Sequence, residues 1–479
     1  MREVWPVTAV RKAESTVMAS LPEGTLMQRA AAGLEKVAAD LLVKHFGGVY
    51  GRSVLLLTGM GDNGGDALFA GARLAGRGAA VRAVQILGSR RHEGGHKALR
   101  MAGGRFISPE DVGYHDLVLD GVTGIGGRPG LPIEAVNRLR KVRAGVTVAV
   151  DVPSGVNVDT GEAVGQAVHA EHTVTFGCLK PAHVTGPASE LCGEIHLVDI
   201  GIGRALRHGD SVLSVPEESD IAEWVRRPGP ADDKYTRGVA GIAAGSTRYP
   251  GAPLLAAAGA QAGPAGMIRF AGDQWRQVVS RHPSIVATPG IEEAGRVQAW
   301  LAGPGTGTGP RALKTLEHVL EAEVPTVLDA DALTLVAKHS RLLAGRRAPL
   351  VLTPHDREYE RLYGSPPEGD RASSALALAS RLNAVVLLKG HRTIVADPDG
   401  SVYANPTGTP DLATAGSGDT LAGLLVSLLA SGLGGGRAAA AAAYLHGLAG
   451  EFAARDGRPA TAEDLGDALR DAVASVRTP

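Results

Sequence analysis

The chain has 479 residues, with 49 Lys+Arg against 50 Asp+Glu, a net charge of -1 and 44% hydrophobic residues. That length gives room for two or three domains with sizeable cores. The charge balance argues against a nucleic-acid partner, and the apolar fraction excludes disorder. Cys178 and Cys192 are the only cysteines, which excludes a disulfide scaffold and fits a reducing compartment.

In chain order, residues 8–46 read as helical, with an Ala/Leu periodicity broken at Leu21-Pro22-Glu23-Gly24. The opening Met1–Pro6 lacks the apolar stretch of a signal peptide, and no run of 18 apolar residues follows. A cytoplasmic protein without membrane contact is therefore expected. Ser53–Thr58 reads as a strand, followed by a glycine loop and a helix over Ala67–Gly76. Further strands are expected at Val81–Leu87, His115–Asp120 and Val146–Val150. Strand–loop–helix alternation implies βαβ units and a mostly parallel sheet with helices on both faces. Residues 214–236 have linker composition, ending in Arg226-Arg227-Pro228-Gly229-Pro230, and place a boundary near 215. A second α/β series follows, with strands at Val239–Ala244, Trp300–Ala302, Thr326–Leu328, Leu350–Leu352, Val385–Lys389 and Thr393–Ala396, and an Ala-rich helix over Arg437–Ala454. The expected class is α/β throughout, with domains at 1–214 and 215–479. The two halves do not repeat each other, which suggests two linked activities.

The glycine content is high, at 65 Gly, and two glycine-rich turns carry most of the chemistry. The first is Gly59-Met60-Gly61-Asp62-Asn63-Gly64-Gly65-Asp66. Gly59, Gly61 and Gly64 form a GxGxxG pattern after a strand, which lets backbone approach a pyrophosphate at a helix start. Taken alone that pattern also suits an NADP dehydrogenase, with Arg90 and Arg91 for a 2′-phosphate. The loop is unusually rich in oxygen ligands, however, and such loops suit hard cations. Asp120 and the Asp151-Val152-Pro153-Ser154-Gly155 turn end two later strands, and in an open parallel sheet the carboxyl ends converge on one crevice.

These residues resemble the NAD(P)H-hydrate epimerase domain over roughly residues 8–210. Leu26–Ala31 and Thr175–Pro181 fit it as well. The resemblance implies a Rossmann-like three-layer αβα domain with potassium at Asn63, Asp120 and Ser154. It implies hydrated nicotinamide nucleotide along Asp62, Asn63, Gly64, Gly65 and Asp66, along Gly124, Ile125, Gly126, Gly127, Arg128, Pro129 and Gly130, and at Asp151, a candidate catalytic group. The chain has Asp62 where the family usually has Asn, and Ala67 where Gly is usual.

The second turn is Thr414-Ala415-Gly416-Ser417-Gly418-Asp419-Thr420, leading into an apolar helix. Backbone N–H groups at such a start form a cradle for phosphate charge, and Asp419 in the first turn is placed to take a hydroxyl proton. This turn resembles the ribokinase-like superfamily, and more specifically the ADP-dependent NAD(P)H-hydrate dehydratase, over about residues 232–475. Lys234–Gly238, Tyr249–Pro253, Gly303–Gly307, Leu328–Leu333 and Leu352–His355 support it. The resemblance implies ADP or AMP at Lys389, Gly390, His391, Arg392, Thr393 and Gly418, and hydrated substrate at Ala252, Gly307, His355 and Asp419. It also implies Mg²⁺ on the phosphates, with Asp419 as base. Asp356-Arg357 replaces the family's Pro-Gly after His355.

The resulting expectation is bifunctional repair of hydrated NADH and NADPH (NADHX and NADPHX). The first domain would interconvert R and S hydrates, and the second would dehydrate the S form with ADP to give NAD(P)H, AMP and phosphate. A ribokinase-like vitamin-precursor kinase fused to a nucleotide-binding module is the alternative, and a non-catalytic nucleotide sensor a further one. Ala-rich helices permit a homo-oligomer. His92-Glu93-Gly94-Gly95-His96 matches HExxH, but its two glycines weaken a helix and it reads as an exposed polar turn. His169 and His172 read as surface residues, and both cysteines as core or near-surface thiols.

Overall fold

The computed structural model describes residues 1–207 and 211–477. The expected spans 1–214 and 215–479 also take in residues 208–210 and 478–479, which lie outside the described residues. The chain divides into two compact units, Glu3–Leu213 and Ser214–Pro479, the latter with Met1–Arg2.

In the N-terminal unit, α1 (Val7–Met18) and α2 (Thr25–Phe46) are separated where Gly24 takes a positive φ of 78°. The strands are β1 (Ser53–Thr58), β2 (Ala80–Gln85), β3 (Arg105–Phe106), β4 (Tyr114–Gly121), β5 (Arg143–Val150), β6 (His172–Phe176) and β7 (Glu194–Val198). All pair in parallel, in the order β3-β2-β1-β4-β5-β6-β7. The apolar run of β1 serves two cores at once. Val54 and Leu56 pack under α2 and under α3 (Asp62–Gly76), whereas Leu55 and Leu57 join Val84 and Val118 on the other face. That two-residue period is the signature of a strand covered on both sides. Strand order reverses at β1, so the crevice opens where β1 and β4 end side by side.

The C-terminal unit repeats the layering with different connectivity. Its strands are β8 (Val239–Ala243), β9 (Met267–Ala271), β10 (Val286–Thr288), β11 (Ala299–Ala302), β12 (Thr326–Leu328), β13 (Leu350–Leu352), β14 (Val385–Leu388), β15 (Ile394–Ala396) and β16 (Val402–Ala404). The order is β16-β15-β14-β13-β12-β11-β8-β9-β10, parallel except for β15, which runs antiparallel to both neighbours. Helices α4 (Ala252–Ala262), α5 (Ser417–Ala430), α6 (Gly435–Ala453) and α7 (Leu465–Arg477) supply much of its core. With so few aromatics, that core closes by bringing backbones together. A Cβ on Gly259 would lie 2.0 Å from the Thr420 carbonyl oxygen, and one on Gly423 2.0 Å from that of Ala256.

Several expectations are corrected. Helix α3 begins at Asp62, not Ala67, because Gly64 packs against the backbone of Gly59 and lets the chain coil at once. The stretch read as linker contains a strand, Leu213–Val215, and a helix, Glu218–Trp224, whose Ile221 and Trp224 are buried. His92 to His96 is no turn: a helix starts at Glu93, the His92 ring accepts the Gly95 N–H, and His96 stacks on Phe106. His172 is buried in β6, whereas His169 is exposed. Both cysteines are buried. Among the described residues, no helix is long and apolar enough to cross a membrane.

Candidate active sites

At the carboxyl edge of the N-terminal sheet, Asp120 is fully buried near the end of β4. The Ser154 hydroxyl donates to its Oδ1 at 2.7 Å and the Ser154 N–H to its Oδ2 at 2.8 Å. Asn63 Nδ2 donates to the Thr123 carbonyl at 3.0 Å, and that carbonyl also lies 3.3 Å from the Ser154 hydroxyl. Oxygen atoms of Asp120, Ser154 and Thr123 thus gather beside Asn63. Burial pushes Asp120 up to about 6, against the pull of the Ser154 hydrogen bonds. A cation beside it would reverse that push, and the all-oxygen donor set suits a hard monovalent ion.

One strand further on, Asp151 follows β5 with a positive φ of 65°, a strained conformation for a residue with a side chain. Lys180 Nζ donates to its Oδ1 at 2.6 Å and the Thr175 hydroxyl at 3.0 Å. The His183 Nδ1 accepts the Lys180 N–H, leaving Nε2–H to donate to the Asp151 carbonyl at 2.8 Å. Burial alone would raise Asp151, but the charge and hydrogen bond of Lys180 win and hold it below the usual carboxylate range. Asp66 has no such partner: its Oδ1 is buried without a hydrogen bond. Burial, followed by the charges of Asp151, Asp62 and Glu14, raises it well above the usual range. Burial likewise raises Glu14, with Lys180 opposing and Asp151 and Asp62 adding to it, and the Cys178 thiol is pushed up to about 11.

In the C-terminal unit a cavity of about 1220 Å³ opens between the ends of β12, β13 and β14 and the start of α5. Its walls include His355, Lys389, Gly390, His391, Thr393, Gly418 and Asp419 from the expected set. They also include Asp329 and Glu358. Lys389 Nζ lies 2.9 Å from Asp329 Oδ1 and 3.8 Å from Glu358 Oε2. The Thr353 hydroxyl donates to the same Asp329 oxygen at 2.7 Å, and the His355 N–H to Glu358 Oε2 at 2.9 Å. Burial pulls Lys389 down, but Asp329, Glu358 and Asp419 together hold it above its ordinary value. Helix α5 starts after Gly416, at φ 92°. The missing Cβ of Gly418 leaves Lys389 Nζ 3.5 Å from where it would stand, so the cation and the backbone at the helix start share one opening. Burial, then the like charges of Asp329 and Asp331, pushes Asp419 up to about 7 against the pull of Lys389.

Three expected residues stand apart from that cavity. Ala252 opens α4, the Gly307 N–H donates to Asp331 Oδ2 at 2.8 Å, and Arg392 donates to the Pro406 carbonyl at 2.8 Å. Sequence reasoning missed the partners Lys180, Thr175 and His183 in the first site, and Asp329, Thr353 and Glu358 in the second. Asp329 carried the same signal as Asp120 and Asp151, an apolar strand ending in Asp.

Comparison with known proteins matches this division. A family model described as NAD(P)H-hydrate dehydratase matches residues 240–470, and one described as YjeF-related protein N-terminus matches residues 23–182. The chain is 47% identical over 442 residues to the bifunctional NAD(P)H-hydrate repair enzyme of Mycobacterium tuberculosis, covering 92% of each. It is 45% identical over 480 residues to that of Mycobacterium leprae, covering 100% of this chain and 99% of the relative. Among solved structures, an ADP/ATP-dependent NAD(P)H-hydrate dehydratase from Bacillus subtilis, co-crystallized with ATP/Mg²⁺, is 30% identical at a TM-score of 0.51. It covers 55% of this chain and 99% of its own. A ribokinase-like superfamily protein from Enterococcus faecalis, 23% identical at a TM-score of 0.51, shares the fold.

Proposed function

The chain belongs to the family of bifunctional NAD(P)H-hydrate repair enzymes, and on that premise we propose that its two strand-end sites act in sequence on one damaged coenzyme. The N-terminal unit epimerises the R and S hydrates, and the C-terminal unit dehydrates the S hydrate at the expense of ADP. The observation that carries the reading is Asp419, a carboxyl pushed up to about 7 beside the Lys389–Asp329 pair and facing a cavity of about 1220 Å³.

Hydroxide is a poor leaving group, and phosphate a good one. Asp419 takes the proton of the substrate hydroxyl as its oxygen attacks the terminal phosphorus of ADP, and the P–O bond to AMP breaks. Lys389 and the N–H groups at the start of α5 hold the charge that builds on the transferred group. Loss of phosphate, with a proton from the adjacent ring carbon, then restores the double bond and gives NAD(P)H, AMP and phosphate. Mg²⁺, where bound to the nucleotide, neutralises its phosphates.

In the N-terminal unit, Asp66, whose burial favours its protonated form, gives its proton to the leaving hydroxyl. Water departs and a planar iminium remains. The Asp151 carboxylate, pinned by Lys180, stabilises that cation. When water adds to the opposite face, its proton returns to a carboxylate of the site. Potassium at Asn63, Asp120 and Ser154 would offset the buried Asp120 charge and steady the loop beneath the substrate. The test is a mixed R/S pool with ADP, followed by recovery of reduced-nicotinamide absorbance. The intact protein consumes the whole pool, whereas Asp151→Asn stops with the R form left. Complete consumption by Asp151→Asn at the unaltered rate overturns the epimerase assignment.

A further inference from the structure

β7 is the edge strand of the N-terminal sheet, beside β6. Their register sets His172 opposite Glu194, and the two-residue strand period puts His196 on the same face as Glu194. The side chains converge. His172 Nδ1 is 3.1 Å from His196 Nε2 and 3.5 Å from Glu194 Oε2, and His196 Nε2 is 3.9 Å from Glu194 Oε1. The ligand atoms of all three residues lie within 4.8 Å of one another. Above them α2 ends, and the His45 ring in its last turn is 6.3 Å, centroid to centroid, from that of His172. His172 is 9% exposed, His196 25% and Glu194 62%, so the group opens to solvent on one side.

That spacing is what a metal needs. With Zn–N bonds of about 2.0–2.1 Å and tetrahedral angles, two donors on one ion stand ~3.3 Å apart. The His172–His196 and His172–Glu194 separations straddle that value, and with one ligand atom from each residue all three lie within 4.8 Å, so side-chain rotation brings them onto one ion. An N–H···N bond between the rings accounts for the shortest separation. It does not account for a carboxylate turning one oxygen to each ring. We propose that His172, Glu194 and His196 bind one divalent transition-metal ion of the zinc class, with His45 or water completing the set. Two imidazoles and a carboxylate favour such ions over Mg²⁺ and K⁺, which prefer oxygen ligands.

The position defines the role. His172 and Glu194 open their strands, whereas Asp120 and Asp151 lie at carboxyl ends, so the metal group occupies the opposite rim of the sheet from the epimerase crevice. An ion there ties an open edge strand to its neighbour and to the end of α2, and acts on stability, not on chemistry.

The test uses the full-length protein, stripped with chelator, desalted, and titrated with Zn²⁺ against a chromophoric chelator in the absence of nucleotide. Thermal unfolding is followed with and without the ion. Uptake of an equivalent that raises the melting temperature of the N-terminal unit, and a tetrahedral visible spectrum with Co²⁺, are expected. His196→Gln and Glu194→Gln, both at solvent-accessible positions, lose at least tenfold in affinity for that equivalent. Their metal-free melting and both half-reactions remain as in the unaltered protein. Absence of uptake, equal uptake by both variants, or displacement of Zn²⁺ by Mg²⁺ at similar concentration overturns the assignment.

Discussion

Asp419→Asn distinguishes a catalytic base from an acid that merely decorates a helix start, because the two readings give opposite signs for stability. Burial and the like charges of Asp329 and Asp331 push Asp419 from 3.8 up to about 7. The native state therefore binds more protons than the unfolded chain between about pH 4 and pH 7, so stability falls across that window and stays lowered above it. Three units at ~1.4 kcal/mol each set an upper bound of ~4 kcal/mol on the cost at pH 8. A carboxylate in a first helical turn contributes ~0.3–1 kcal/mol in the other direction. Asp419→Asn is accordingly expected to stabilise the C-terminal unit by roughly 2–3 kcal/mol at pH 8. That corresponds to about 4–12 °C in melting temperature, and the gain vanishes near pH 4. The same variant loses ~10²–10⁴-fold in the dehydratase half-reaction. In the unaltered protein the rate climbs about tenfold from pH 6 to pH 8 as the base deprotonates. Calorimetry at three pH values and absorbance recovery with S hydrate and ADP read both quantities. A variant less stable at pH 8, or one keeping more than about a tenth of the rate, refutes the base assignment.

Two further predictions concern the same unit. Lys389→Met leaves Asp329, only 2% exposed, without its cation, and costs about 3–5 kcal/mol in urea unfolding. It also takes from Asp419 the positive charge that opposes its rise, so residual activity should need a higher pH. Gly423→Ala would gain up to about 1 kcal/mol in an open helix, but here its methyl meets the Ala256 carbonyl at 2.0 Å. The expected result is a loss of at least about 1–3 kcal/mol in the C-terminal unit alone, seen as a lowering of that unit's own unfolding transition. A neutral or stabilising Gly423→Ala shows that α4 and α5 are not in backbone contact.

What the sequence conveyed was whatever is local. Uninterrupted apolar runs located the central strands, since a strand covered on both faces needs apolar residues at every position, as in Ser53–Thr58. The Asp residues that end such runs marked the carboxyl edge. The helix start at Asp62 was obscured because glycines weaken a helix in general. Here Gly64 and Gly65 serve close packing, against the Gly59 backbone and the His92 ring. His172 looked exposed because histidine usually is, and its burial follows from the strand β7 beside it, which went unrecognised. The pairs Asp151–Lys180 and Asp329–Lys389 are 29 and 60 residues apart in the chain. Their meeting depends on strand order, which no local pattern carries.

Those two pairs show one physical solution reached in two unlike sheets. A parallel sheet directs the carboxyl ends of its strands at one crevice, and an Asp placed there leaves water. It stays charged only with a cation and a further donor. Asp151 has Lys180 Nζ at 2.6 Å and the Thr175 hydroxyl at 3.0 Å on a single oxygen. Asp329 has Lys389 Nζ at 2.9 Å and the Thr353 hydroxyl at 2.7 Å, again on a single oxygen. In each case a positive φ turns the chain out of the strand, at Asp151 itself and at Ala330 after Asp329. The pinned carboxylate then acts on its neighbour. Asp66 and Asp419 are each raised by burial and by the negative charge of the pinned Asp beside them. Each site therefore holds one carboxylate bonded to a lysine and one whose hold on its proton is strengthened, Asp66 and Asp419 respectively. A division of this kind separates acid from base among chemically identical side chains. It also gives each lysine a role at a distance from the reacting carbon, through the carboxylate it holds. Without Lys180, Asp151 would lose the charge that holds it low, and without Lys389, Asp419 would lose the charge that opposes its rise.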